Sequence, residues 1–354
     1  MHSHTGVNGV STSLAMLIPQ QVARGHDIML VHRPGSWLAS TLSELPVAFV
    51  ESPLTTRIGD LYRVGDTIRS WGADVVHTHG STAHKYGAIY RVVGKIPIVA
   101  TAHACRFQLH WIFNNRIIAP SRRTAEYHRR VNGARRRNMR IIPHMIDTTA
   151  APLVTADRRK RQRDLLCLPE DAFVLGMIGS IDARKNQIDS VRVLHTLRQG
   201  GHNAHLVLIG GPAQDDHLAA LDNLVAQAGL QDIVHRTGGR PDATDLLPAF
   251  DAYICTSRHE EGPIANLEAM VAGLPVISTD VGCMDMVFAE GRGGRIFTVG
   301  DHAGMADYAA ELAADPTLAA TTGTEARTVV GEKLSPDVIL PQIDAVYREV
   351  ASRR

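Results

Sequence analysis

The stretch "YICTSRHEEGPIANLEAMVAGLPVISTDVG", Tyr253–Gly282, decides the fold. A short apolar run enters a polar loop, a helix-like run "IANLEAMVAG" follows, and a second apolar run, "LPVISTD", closes the unit. Strands buried on both faces of a parallel sheet read as continuous apolar runs of this kind, not as alternating ones. Pro263 suits the first position of a helix, where its missing N–H costs nothing, so the helix is predicted to begin there. Glu260 then sits in the loop and Glu268 near the second turn. Anions are favoured at that end, but two acids exceed what a helix start requires.

The same plan extends outward. "AFVLGMIGS", "AHLVLIGG", "DIVHRTG" and "DAYICTS" read as strands, separated by helical runs such as "NQIDSVRVLHTLRQG" and "DDHLAALDNLVAQAG". The first half reads "HDIMLV" (strand), a long helical and loop region, then "ADVVHTH", "IPIVATAH", "NRIIAPS" and "MRIIPHMID" as strands with helices between. An Arg/Lys-rich, proline-flanked segment from about Thr148 to Pro169 separates the halves. Two Rossmann-like α/β domains joined by a linker follow, 1–150 and 165–335. The stretch "GVNGVSTSLAMLIPQQVARGHDIMLV" looks like a glycine loop, a helix and a second strand. The first strand, expected before the loop, is missing. Either translation begins upstream of Met1 or the sheet lacks a strand.

Bulk properties exclude several classes. The 354 residues carry 44% hydrophobic residues and a formal net charge of +1, so a globular core is present and no strongly charged partner is implied. Cys105, Cys167, Cys255 and Cys283 are scattered and form no CxxC pair, which argues against a zinc site or disulfide framework and for a reducing, cytoplasmic compartment. No apolar run approaches a membrane span, and "MHSHTGVNGV" has no signal-peptide apolar region.

In open α/β sheets ligands bind beyond the carboxyl ends of the strands. His77 and His79, His103, the group Ser180, Arg184 and Lys185, and the glutamate segment all fall at strand ends. A cleft between two facing domains is expected to collect these loops.

The second half resembles the retaining glycosyltransferases of family 4 (glycosyltransferase group 1), which have the GT-B fold. Ser257, Glu260, Pro263 and Glu268 match the spacing S-x-x-E-G-x-P-x-x-x-x-E, and "EAMVAGLPVISTDVG" continues the signature. "GSIDARKN", "LVLIGG", "HRTGGRPD" and the late loop "GRIFTVGD" match further motifs; "ADVVHTHG", "TAH", "IIAPS" and "IIPHMID" match in order in the first half. The resemblance implies a nucleotide-sugar donor, no metal and no cofactor. A C-terminal helix, about 336–354, would pack back onto the N-terminal, acceptor-binding domain.

It also implies roles. Lys185, with Arg184, would place positive charge on the diphosphate. The N–H groups of Ile264 and Ala265, behind Pro263, would point at phosphate. Gly9 would let backbone approach the diphosphate from the other domain. Glu268 would accept from the ribose hydroxyls, Glu260 would hold the transferred sugar, and His103 would lie near the sugar and the acceptor hydroxyl. Lys185, Glu260 and His103 are thus the catalytic candidates. Two departures stand out: Ser180 replaces the family's arginine, and "GCMDM" puts Cys283 and Met286 where G-G-x-x-E has a glycine and a glutamate.

Simpler readings compete. Taken alone, Lys185 reads as a surface lysine, His103 as a loop cap, and E-x7-E as two helix glutamates. The H-x-H pairs suggest metal-dependent hydrolases, but neither partner ligands nor eight βα units are in evidence.

Eight arginines lie between Arg122 and Arg140 with only Glu126 opposing. This segment is expected to meet an anionic membrane surface, where each basic residue gains about 1 kcal/mol. No aromatic platform is interleaved with it, which argues against nucleic acid. The run Arg158–Arg163 reads as a solvated, charged face. The predicted function is sugar transfer to a glycan or lipid-linked acceptor, as in lipopolysaccharide or other envelope polysaccharide synthesis, at the inner face of the cytoplasmic membrane. The rivals are a non-catalytic nucleotide-sugar-binding protein and a GT-B sugar-nucleotide epimerase.

Overall fold

The computed structural model describes residues 1–149, 151–211 and 213–352. It divides into unit 1, Met1–Met145 with Pro336–Arg354, and unit 2, Ile146–Ser335. Among the described residues no helix is long and apolar enough to cross a membrane.

Unit 1 runs α1 Gly9–Ala23, β1 Ile28–His32, α2 Trp37–Thr41, β2 Val47–Glu51, α3 Ile58–Ser70, β3 Val76–His79, α4 Ser81–Val93, β4 Ile98–Thr101, β5 Arg116–Ala119, α5 Arg122–Arg130 and β6 Met139–Ile141. Asn8 starts α1 with a capping box: its side chain accepts from the Val10 and Ser11 N–H groups while the Ser11 hydroxyl accepts from the Asn8 N–H. Strands β1 and β2 pair in parallel, and β3, β4, β5 and β6 form a parallel sheet in that order. Val31, Val64, Ile68, Val76, Tyr86 and Ile98 belong to one buried cluster.

The region between β1 and β3 departs from its reading as helix and loop, because β2 lies within it. Only Val47 of this strand is buried, so "VAFVE" lacks the continuous apolar run that marks a central strand. The missing first strand is partly supplied by Met1–Ser3. The His2 N–H donates to the Val31 carbonyl at 3.0 Å, the Ser3 N–H to the His79 carbonyl at 3.3 Å, and the His79 N–H to the Met1 carbonyl at 2.9 Å.

Unit 2 runs α6 Ala156–Leu165, β7 Phe173–Ile178, α7 Gln187–Gln199, β8 Ala204–Ile209, α8 Asp215–Gln227, β9 Val234–Gly238, β10 Ala252–Cys255, α9 Ile264–Ala272, β11 Val276–Thr279, α10 Met284–Val287, β12 Gly294–Phe297, α11 His302–Ala314 and α12 Pro316–Leu334. All six strands pair in parallel, in the order β12-β11-β10-β7-β8-β9. The "GRIF" of the late loop is strand β12, hydrogen-bonded to β11. Leu175, Leu194, Leu206, Leu208, Ile254 and Ile277 build the core.

The solvated reading of Arg158–Arg163 fails at its last residue. Arg163 is 1% exposed. Its guanidinium donates to the carbonyls of Ala249, Pro169 and Glu170 and pairs with Asp251 at 2.6 Å, while Arg159 takes the other Asp251 oxygen. A buried charge is tolerable because its donors find acceptors.

The chain then returns to unit 1 as α13, Pro336–Ala351. The Tyr347 hydroxyl lies 2.7 Å from His77 Nδ1 and accepts from the Gln21 amide at 3.0 Å; Asp344 pairs with Arg24 and His26. Glu349 pairs with Arg116 and Arg140, so the arginine-rich segment has a second opposing acid that comes from far along the chain. Glu126 takes Arg129 and Arg130. Arg122, Arg123, Arg129, Arg130, Arg135, Arg136 and Arg137 remain exposed.

Candidate functional site

The sheet of unit 2 turns its winding between β7 and β10: β8 and β9 extend from one side of this pair, β11 and β12 from the other. That is a topological switch point, where the loops leaving the two strands diverge and open a crevice. The loop after β7 carries Gly179–Asn186; the loop after β10 carries Thr256–Pro263.

Hydrogen bonds tie the two loops together. The Arg258 N–H donates to the Arg184 carbonyl at 2.7 Å, the Thr256 hydroxyl to the Asn186 carbonyl at 2.9 Å, and the Asn186 amide to the Thr256 carbonyl at 3.3 Å. Asp182 braces the first loop: it accepts from the Ser180 hydroxyl at 2.6 Å and the Lys185 N–H at 2.8 Å. Burial opposes its charge, but those hydrogen bonds hold its carboxyl below the ordinary value. Gly179 sits at φ +152°, and a Cβ there would lie 2.7 Å from the Lys185 Cε. The missing side chain makes room for the lysine stem.

Lys185 and Arg184 converge on Glu260. Lys185 Nζ lies 2.7 Å from one carboxylate oxygen and Arg184 2.8 Å from the other, and the buried Ser257 hydroxyl donates to the same carboxylate at 3.0 Å. The two cations expected at the diphosphate and the acid expected at the transferred sugar are therefore bound to one another. Their summed charge is still positive, with two cations against one acid. Pro263 is the residue before α9, not its first turn (φ −79°, ψ 65°). The Ile264 N–H is taken by the Gly262 carbonyl at 2.9 Å, which corrects its expected aim at phosphate. The Ala265 N–H donates to nothing among the described residues. Gly282, at φ +58°, passes so close that a Cβ would meet the Pro263 ring at 2.4 Å.

Glu268, on α9, differs from Glu260. Among the described residues its carboxylate accepts no hydrogen bond and forms no ion pair within 4 Å. Burial pushes its carboxyl up to about 7, with Lys185 pulling the other way. The sign is clear: a carboxyl raised in the folded protein favours folding below its unfolded value of 4.5, and that contribution is lost as pH rises to about 7. Glu268→Gln should therefore raise Tm, by more at pH 8 than at pH 6. A differential scan at both pH values checks this; an unchanged Tm at pH 8 would mean that the carboxyl is fully solvated.

The remaining candidates lie in unit 1. Gly9 is the first residue of α1, with open space where a Cβ would sit. His103 follows β4; its Nε2 lies 2.9 Å from His79 Nδ1 and its ring stacks on His144 with centroids 5.2 Å apart. Burial, then the neighbouring imidazoles, keeps His103 neutral, well below the usual histidine range. His77 is held by Tyr347 on one ring nitrogen and the Thr101 hydroxyl on the other. Asp182 and Asn186 were not singled out from sequence. An acid between Ser180 and Lys185 in a glycine-led loop was the available signal for Asp182.

The model for "Glycosyl transferases group 1" matches residues 158–329, and the model for "Glycosyltransferase Family 4" matches residues 7–150. The chain belongs to the group 1 glycosyltransferases. The lipopolysaccharide core biosynthesis mannosyltransferase LpsB of Rhizobium meliloti is 27% identical over 89% of this chain and 87% of its own. The N-acetyl-alpha-D-glucosaminyl L-malate synthase of Bacillus anthracis is 32% identical, over 42% of this chain. That match spans 38% of the synthase, and a match to a Streptomyces avermitilis D-inositol 3-phosphate glycosyltransferase spans 56% of that enzyme. Anabaena Alr3699/HepE in complex with UDP superposes with a TM-score of 0.85, at 19% identity over 98% of each chain. The likeness to such structures gives this group 1 chain the GT-B fold.

Proposed function

We propose that this chain moves a sugar from a nucleotide-sugar donor to a glycan or lipid-linked acceptor, with retention and without a metal. The observation that carries the reading is the switch-point cluster: Lys185 and Arg184, on the loop after β7, converge on Glu260 of the neighbouring loop after β10, with Glu268 unpaired among the described residues on the adjacent helix. A nucleoside diphosphate leaves with growing negative charge, and fixed cations count most where that charge develops. An unpaired, half-buried carboxylate suits a pair of ribose hydroxyls, because their donors would satisfy it. Glu260, once the diphosphate draws off its cations, is left to accept from the transferred sugar. The acceptor's proton goes to the departing phosphate on the same face.

Structures of HepE with UDP and with UDP-glucose favour a uridine donor, and the likeness to LpsB favours an envelope polysaccharide acceptor. Exposed Phe107, Leu109, Ile112 and Phe113 lie in the same unit as the exposed arginines of 122–137, a pairing of apolar and basic groups that suits an anionic lipid surface.

The test is a thermal-shift screen of nucleotide sugars, followed by transfer assays with and without EDTA. Donor-dependent stabilisation with EDTA-resistant transfer is the expected outcome. Activity lost to EDTA and restored by manganese would overturn metal independence. Binding without turnover would make the chain a nucleotide-sugar-binding protein. Sedimentation with anionic liposomes at low salt, lost when Arg135, Arg136 and Arg137 are changed to Ser, checks the membrane surface.

A further inference from the structure

At the carboxyl ends of its strands, unit 1 brings hydrogen-bond donors together without an acid among the described residues to answer them. Arg33 directly follows β1, the turn 52–57 follows β2, and Gly80 follows β3 and precedes α4. Gly80 has no side chain with which to cap that helix. Its carbonyl takes the His84 N–H at 3.0 Å, while the N–H groups of Ser81, Thr82 and Ala83 meet no acceptor among the described residues. Ala83 is fully buried, so its N–H is shielded from water as well. A buried backbone donor is nearly always paired, with protein, water or a ligand.

Arg33 brings its charge to the same turn. One terminal nitrogen lies 3.4 Å from the Thr82 hydroxyl and 3.4 Å from the Leu54 carbonyl, long contacts that tether the guanidinium beside the start of α4. Its Nε is buried with no partner. Asp60, which braces the 52–57 turn, is committed to Arg63 at 2.8 Å and to the Ser52 and Tyr86 hydroxyls. Leu54, at φ +47°, and Thr56, at φ +62°, hold left-handed backbone in that turn, an uncommon conformation for such residues.

His4 also reaches Gly80. A Cβ on Gly80 would meet the Ser3 hydroxyl at 2.5 Å and the His4 ring at 3.0 Å, so the glycine, at φ +89°, lets the imidazole rest against the helix start. Burial, then the charges of Arg33 and Arg106, holds His4 below the ordinary histidine value. Arg106 is exposed and has no ion-pair partner among the described residues.

We propose that Arg33, His4 and the first turn of α4 form an anion site that holds an oxyanion of the acceptor, a phosphate or a carboxylate; this rests on the sugar-transfer reading. Three free N–H groups and the positive end of a helix suit such a group. The guanidinium adds planar, paired donors and a fixed charge. His4 takes up a proton more readily once the anion offsets the two arginines.

The experiment titrates the whole nitrogen-15-labelled chain with inorganic phosphate, methyl phosphate and acetate at pH 7.5 and constant ionic strength. Both phosphates are expected to shift the amides of Ser81, Thr82 and Ala83 saturably and to raise the pKa of His4. Arg33→Gln should weaken this binding by at least about tenfold, and Arg33→Lys by less. Saturable binding of acetate in place of the phosphates would assign the group as a carboxylate at the same site. Inorganic phosphate that binds where methyl phosphate does not would overturn the proposal, because an acceptor carries its phosphate as an ester. Amides 81–83 that ignore all three anions would overturn it too, as would shifts that both Arg33 variants leave unchanged. UDP-glucose is then added to the same samples. If it moves the amides of the loop after β7 while 81–83 ignore every anion, the anion site alone falls. If 81–83 answer phosphate but no nucleotide sugar moves unit 2, the transfer reading falls, and the acceptor role with it.

Discussion

Acidification from pH 7.5 to pH 5 is expected to unfold unit 1 while unit 2 stays folded. Unit 1 buries an unusual set of imidazoles. Burial pushes His2 and His77 down to about 3 and His110 to about 4. His79, His84 and His103 are held well below 6.5, and His4 is lowered as well. In each case burial is the first cause and neighbouring charged or imidazole groups add to it. These groups bind fewer protons folded than unfolded. Their contribution is therefore complete above pH 6.5 and is lost as pH falls below it. Each of the fully buried ones, His77, His79, His84 and His103, costs about 1.4 kcal/mol per pH unit in that window. Three acting together would remove about 6 kcal/mol by pH 5, comparable with the whole stability of an ordinary domain.

Among the described residues unit 2 has three histidines lowered by burial, His205, His217 and His235, but none is held as far down as the buried set of unit 1, so the acid loss of unit 2 is smaller. Two thermal transitions that separate as pH drops, with exchange protection lost first in β3 and β4, is the result to look for. A melting temperature that does not move between pH 7.5 and 5 would sink the idea. His77→Gln should flatten the acid dependence, since it removes one of the groups that must charge.

The second large effect concerns Lys185. Lys185→Ala should lower kcat by roughly 10²- to 10³-fold and leave donor affinity much less changed. Its charge is balanced by Glu260; in the proposed reaction it is needed most when the diphosphate separates. Tm should change little, because Ser257 and Arg184 still hold Glu260 after the lysine is gone. Lys185→Arg should rescue poorly, because the stem runs against Gly179 and leaves little room for a guanidinium. Turnover at saturating donor is the measurement; wild-type turnover in Lys185→Ala would make the residue a plain partner of Glu260.

Much of this was legible because parallel sheets write themselves as apolar runs. β7, β8, β10 and β11 are buried along most or all of their length, and each was readable from its residues alone. β2 and β12 were not, since their partly exposed residues break the run. Charge misled at Arg163, where burial depends on carbonyls that only the fold brings near. At the site, spacing placed Glu260, Lys185 and Glu268. It could not show that the first two would bind one another while the third would stand alone, because that depends on a cross-loop approach of under 3 Å. Asn186 was invisible for a similar reason: its left-handed backbone, φ +55°, follows from the loop it closes.

The return of α13 to unit 1 also bears on biosynthesis. A ribosome completes Ile146–Ser335 as one uninterrupted stretch, so unit 2 has all its strands before synthesis reaches Pro336. Unit 1 is begun first and finished last. Until α13 emerges, Arg116 lacks Glu349, His77 lacks Tyr347, and Arg24 and His26 lack Asp344. The nascent N-terminal half must wait, with a basic side chain that the finished fold buries, through the synthesis of the entire second unit. A premature stop codon after Ser335 would leave that half without its charge partners. Release of the last helix from the exit tunnel is then the event that commits the first domain to its final form.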